Sequence, residues 1–67
     1  MIQVANKNHI NQILKIESES YEKPWSYQSF LNEIKNNVGL NLVYTKDNKV
    51  LAYLFGWILD HEYHLNN

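Results

Sequence analysis

Ile10, Ile13 and Leu14 recur at helical spacing and Tyr21 continues it, which predicts a helix over about residues 8–20 with Lys15 and Glu17 off its apolar face. Asn6 and Asn8 stand ahead of it, and either side-chain carbonyl can accept from the free amides of a first helical turn. Pro24 disfavours helical dihedrals at Lys23, so this helix ends before it. A second amphipathic run, Tyr27, Phe30, Leu31 and Ile34, predicts a helix over 26–36 with Ser26 as its cap. Trp25 then falls just before the cap and Phe30 at the fourth helical position, the arrangement of a hydrophobic staple. Asn36, Asn37 and Gly39 close the helix.

The period then changes to two. Ile2 to Ala5 is a short β-prone opening, and Leu40, Leu42 and Tyr44 alternate with Asn41, Val43 and Thr45. Asp47-Asn48 supplies a tight hairpin, because both residues tolerate positive φ. Val50 to Leu59 is apolar on both parities, the pattern of a strand covered on both faces. Gly56 within it marks a bulge or a close backbone approach. Asp60-His61-Glu62 reads as the next turn and Tyr63 to Asn67 as the start of a further strand. The order is strand, helix, helix, strand, hairpin, strand, turn, strand, and the sequence reads as cut off in mid-sheet.

Composition narrows what such a chain can do. Its 67 residues allow one small domain, and with no Cys there is neither a disulfide framework nor a thiolate zinc site to support it. The net charge is −1, there is no Arg and the six Lys are scattered singly, so a nucleic-acid partner is not expected. The longest apolar run is half a bilayer span and no export signal is legible, so no membrane partner and a cytoplasmic address are expected. With 45% hydrophobic residues the chain is rich enough in core formers to fold.

Candidate chemistry is sparse. His61, Glu62 and His64 are ligand types, but two histidines of opposite strand parity cannot share a metal without a turn between them, and solvated turn residues are the better reading. Asp60 and Glu62 could hold a cationic amine, yet exposed turn carboxylates usually do nothing specific. His9 reads as a surface residue beside the first cap. No nucleophile–base set and no Gly-rich phosphate loop occur. Tyr21, Trp25 and Tyr27 crowd the loop between the helices, where they plug the end of a small core or line a ligand groove; core packing is the favoured reading.

Tyr21-Glu22-Lys23-Pro24-Trp25-Ser26, followed by Phe30, resembles the Phe-x-x-Pro-Trp-Ser…Phe signature of the ribosomal-protein-alanine N-acetyltransferases, within the GNAT (Gcn5-related N-acetyltransferase) superfamily. His9 to Glu17 is similar to that family's first helix, and Val50-Leu51-Ala52-Tyr53 to its Val-x-Gly-Tyr. Leu59-Asp60-His61-Glu62 through His64-Leu65-Asn66 resembles its Leu-Asp-Glu…Ile-x-Asn approach to the fourth strand. Tyr21 replaces Phe, Ala52 replaces Gly and Asn67 replaces an apolar residue.

The resemblance implies an α+β fold: the N-terminal half of the GNAT fold, strand–helix–helix and an antiparallel meander, truncated in the fourth strand. Residues 1–67 would be a single partial domain, the acceptor-side half without the acetyl-CoA-binding half. It implies acetyl transfer from acetyl-CoA to a protein N-terminus, with Tyr21, Pro24, Trp25 and Asn66 as the acceptor-side residues. The family's Arg/Gln-x-x-Gly-x-Gly/Ala pyrophosphate loop and its proton-moving Glu and Tyr lie downstream of the matching residues. The chain alone is therefore expected to bind no cofactor, to hold no catalytic residue and to be inactive. The alternative expectation is a non-catalytic interaction module. On either view an open sheet edge, and an apolar face that a later helix covers in the family, point to self-association as a homo-oligomer.

Overall fold

The computed structural model describes residues 1–67. Strand β1 (Ile2–Val4) leads through a single 3₁₀ turn (Lys7–His9) into helix α1 (Ile10–Ser20). Helix α2 (Tyr27–Lys35) follows, and then strands β2 (Gly39–Lys46), β3 (Lys49–Leu59) and β4 (Glu62–Leu65). The four strands form one antiparallel sheet in the order β1-β2-β3-β4, so the fold is α+β with both helices inserted between two neighbouring strands.

Local chemistry accounts for the element ends. Asn6 is the cap that is used: its side chain accepts from the Asn8 amide at 2.8 Å while His9 Nδ1 accepts from the Asn6 amide at 3.0 Å. This reciprocal box tightens residues 7–9 into the 3₁₀ turn, and the α-helix begins at Ile10 rather than at residue 8. Ser26 caps α2 as expected, its hydroxyl accepting from the Ser29 amide at 3.1 Å. Asp47 and Asn48 both take positive φ, and so do Asp60 and His61. Both hairpins thus turn on two left-handed residues, and the second turn ends before Glu62, which already belongs to β4.

Both helices pack on one face of the sheet. Ala5, Ile10, Ile13, Phe30, Val43, Val50 and Phe55 are buried there, with Leu14, Ile16, Trp25, Leu31, Ile34 and Tyr53 packed around them. Phe30 is the hub: its ring centroid lies 5.1 Å from Trp25, 5.0 Å from Phe55 and 5.9 Å from Tyr53, the latter two edge-on. The staple between Trp25 and Phe30 is therefore present. Trp57 Nε1 also donates to Glu33 at 2.6 Å, tying α2 to β3.

Three expectations need correction. Tyr21 does not extend the α1 stripe: it is the extended residue after the helix and is exposed. Glu17 does lie on the buried stripe, because 10, 13 and 17 share one face of a 3.6-residue helix. Val50 to Leu59 is covered on one face only. The other side of the sheet, which includes Ile2, Val4, Tyr44, Leu54, Ile58, Tyr63 and Leu65, is exposed, Ile2 by 69% and Leu65 by 62%.

Gly56 is a close approach and not a bulge, since Tyr63 and the His64 carbonyl lie against it. The bulges are elsewhere. Tyr44 pairs with Ala52 but Thr45 with Val50, which leaves Leu51 as the extra residue on β3. A second extra residue ends β4: the amides of Asn66 and Asn67 both donate to the Phe55 carbonyl, at 2.8 and 2.9 Å, and the Phe55 amide donates to Asn67 O at 2.6 Å. No helix is long and apolar enough to cross a membrane.

Candidate functional site

A pocket of about 440 Å³ opens where the α1–α2 loop faces the end of β4. Glu17, Tyr21, Lys23 and Trp25 line one side and Leu65, Asn66 and Asn67 the other. Three of the four residues singled out from the sequence therefore meet here. Pro24 does not line the pocket; it is exposed on the same loop, where it separates the helices.

Glu17 forms the floor. It is 1% exposed and no cation pairs with it. The Trp25 amide donates to Oε2 at 2.7 Å and the Tyr53 hydroxyl donates to Oε1. Asn67 Nδ2 reaches both oxygens, at 3.1 and 3.0 Å. A carboxylate offers about four lone-pair sites, and four contacts fill them. Such saturation makes burial of an unpaired carboxylate tolerable. It also leaves Glu17 no free lone pair with which to act as a base. On Tyr53, burial acts first, then the hydrogen bond to Glu17 and the nearby carboxylate charge, together holding the hydroxyl well above the usual phenol range.

The bulge decides which asparagine faces inward. In unbroken register Asn66 would oppose Phe55, whose side chain lies on the helix face. The extra residue puts Asn67 in that place and moves Asn66 to the exposed rim. Adjacent identical residues gave no sequence signal of the shift. Glu17 did give one: an ionisable residue at position i+7 of a stripe begun by Ile10 and Ile13. Lys23 and Leu65 carried none.

The other candidates stay apart. His61 sits in the second hairpin turn, and His64 lies 3.7 Å from Glu62 with both exposed. No three such side chains group to hold a metal ion. His9 serves the first cap. A second pocket, about 340 Å³, is lined by Gln12, Lys15, Ile16, Lys49, Val50 and Leu51. Gln12 Oε1 accepts from the Val50 amide there at 2.8 Å, fastening α1 to β3.

Comparison of the chain with protein-family models, with curated proteins and with solved structures gave no match. The site is therefore read from its own geometry. Aromatic walls, the Asn66 side chain and a rim ammonium from Lys23 surround a floor whose hydrogen bonds are already made. That suits holding an extended polar group and does not by itself move protons.

Proposed function

We propose that the chain is the acceptor-side part of a cytoplasmic, acetyl-CoA-dependent N-acetyltransferase of the GNAT type, acting on the α-amino group of a protein. The observation that carries this reading is one of place. The Tyr21–Ser26 segment, which resembles the family's Phe-x-x-Pro-Trp-Ser, lies across one pocket from Asn66, which matches the family's fourth strand. Tyr21 and Trp25 would flank the acceptor peptide, and Asn66 would hydrogen-bond its backbone.

The residues present do not fit acetyl-CoA itself. A pyrophosphate needs a cradle of free backbone amides, usually at a helix start. Here neither helix start carries a glycine to let a phosphate approach its amides, and no Arg/Gln-x-x-Gly-x-Gly loop occurs in the 67 residues. No chemical step is therefore assigned to this chain.

Two measurements test the reading. Calorimetric titration of the chain with acetyl-CoA should give no binding heat. A short peptide with a free α-amino group should shift the ¹⁵N NMR signals of Tyr21, Trp25 and Asn66, and its Nα-acetylated form should not. Equal responses to both peptides, or none, would count against an acceptor site.

The open sheet face favours a second reading, an interaction module whose partner is another copy of itself. The four strands hold 3, 8, 11 and 4 residues, and at about 3.3 Å per residue and about 4.8 Å between strands they give a face of roughly 400 Å². Two copies meeting there bury on the order of 800 Å², the size of a weak, reversible contact. Sedimentation up to high micromolar concentration should then report a growing share of a two-fold dimer of the 8.0 kDa chain. A monomer across that range would remove this reading and leave the first untouched.

A further inference from the structure

We propose that Glu17 is the positioning residue of the pocket: its carboxylate sets the distance between two walls far apart in sequence, and so decides what width of ligand can enter. What the ligand is rests on the acceptor-side reading; the wall-setting role rests on the geometry alone.

Three features carry it. First, the four contacts come from three different elements. The Trp25 amide belongs to the α1–α2 loop, the Tyr53 hydroxyl to β3 and the Asn67 amide to the end of β4. Second, Trp25, packed on Phe30, is the one wall residue the core holds. Tyr21 and Lys23 are exposed on its side, as are every residue of β4 and Asn66 on the other. Burial does little to hold the second wall, so directed hydrogen bonds do that work. Third, the Asn66–Asn67 bulge turns Asn67 toward the floor, and Glu17 is the acceptor its amide meets there. The Tyr53 hydroxyl in turn holds the carboxylate against the core, where Tyr53 packs on Phe30 and Phe55. The walls are thus indexed to the sheet through one side chain.

A saturated acceptor is also an intolerant one. Replacing one oxygen by an NH₂ group sets a donor against donors, and a buried donor left unpaired is costly. A carboxylate at position 67 would face Glu17 as a like charge. Exchanging the two groups restores a donor–acceptor pair in the opposite sense.

The test is amide hydrogen exchange and ¹⁵N NMR on the whole chain in Glu17→Gln, in Asn67→Asp and in the double variant. Glu17→Gln should speed exchange at the Trp25 amide about tenfold, the loss of one charge-assisted hydrogen bond. Asn67→Asp should speed exchange at Phe55 and Asn66 and also shift the Trp25 amide across the pocket. The double variant should bring Phe55 and Asn66 back to within about twofold of the parent, a rescue that general loss of stability cannot produce. Unchanged Trp25 exchange in Glu17→Gln, or a double variant no better than Asn67→Asp, would overturn the proposal. If Glu17→Gln loses its dispersed spectrum, the Trp25 response in Asn67→Asp decides alone, and silence there overturns it.

Discussion

Phe30→Ala should unfold the chain at room temperature. The side chain is fully buried, and its ring meets Trp25, Tyr53 and Phe55 within 6 Å, so no neighbour can collapse far enough to fill the space. Phe-to-Ala substitutions at such sites cost about 3–5 kcal/mol. A single core in a chain of this length rarely supplies more than about 3–5 kcal/mol in all. Two elements fail together, because α2 is held to the sheet mainly through this residue, with Leu31 and Ile34 packed around the core and Trp57–Glu33 as its polar tie. Circular dichroism with urea titration is the measurement. The exposed Tyr27, on the same helix, provides the control: Tyr27→Ala should leave the midpoint nearly unchanged. A Phe30→Ala protein with the parental midpoint would show that the helices do not rest on this ring.

Much of this core was legible beforehand. Phe30, Leu31 and Ile34 mark α2, Ser26 its start and Trp25 the staple, because helix capping and periodicity are local matters. Tyr27, read onto the same face and favoured for core packing, is instead exposed at the first turn of the helix. The Asp47-Asn48 turn and the sequence of strands were legible for the same reason. Three features were not. The role of Glu17 depends on donors from residues 25, 53 and 67, and no local pattern announces partners so far apart. The bulge at Asn66 and Asn67 is a matter of which amide meets the Phe55 carbonyl, and two identical side chains hide the choice. The apolar run of β3 signalled burial on both faces, yet the helices cover one; a bare face was expected only through the family resemblance and not from the strand's own pattern. Composition reports what a strand can tolerate and not which of its faces a chain of this size can reach.

The two functional readings use different surfaces. The pocket opens on the helix side, between the α1–α2 loop and the β4 end, while the open face lies on the far side of the sheet, and Leu65 borders both. A dimer through that face would leave Tyr21, Trp25 and Asn66 accessible. Acceptor binding and self-association are therefore compatible, and each can fail without the other.

Gly56→Ala should destabilise the protein, against the usual sign for that substitution. Gly in a strand interior ordinarily costs roughly 0.5–1 kcal/mol relative to Ala through chain entropy, so a gain is the default expectation. Here a Cβ would overlap the Tyr63 ring and stand 2.5 Å from the His64 carbonyl oxygen. Tyr63 crosses over Gly56 to donate its hydroxyl to Leu40 O at 3.0 Å, joining β4 to β2 over the top of β3. Its ring could swing away and forfeit that bond, but the His64 carbonyl is backbone and can yield only if β4 itself shifts. Overpacking of this kind costs about 1–3 kcal/mol, more than the entropy returns. Because β4 leads into Leu65, Asn66 and Asn67, the pocket should open with it. Thermal melting and amide exchange of Gly56→Ala should show a lower midpoint and faster exchange at Phe55 and Asn66. Adding Tyr63→Ala should relieve the ring overlap and leave the carbonyl contact, so the double variant should recover part of the loss and not all of it. A Gly56→Ala protein that melts above its parent would mean that β4 lies further from β3 than this packing requires.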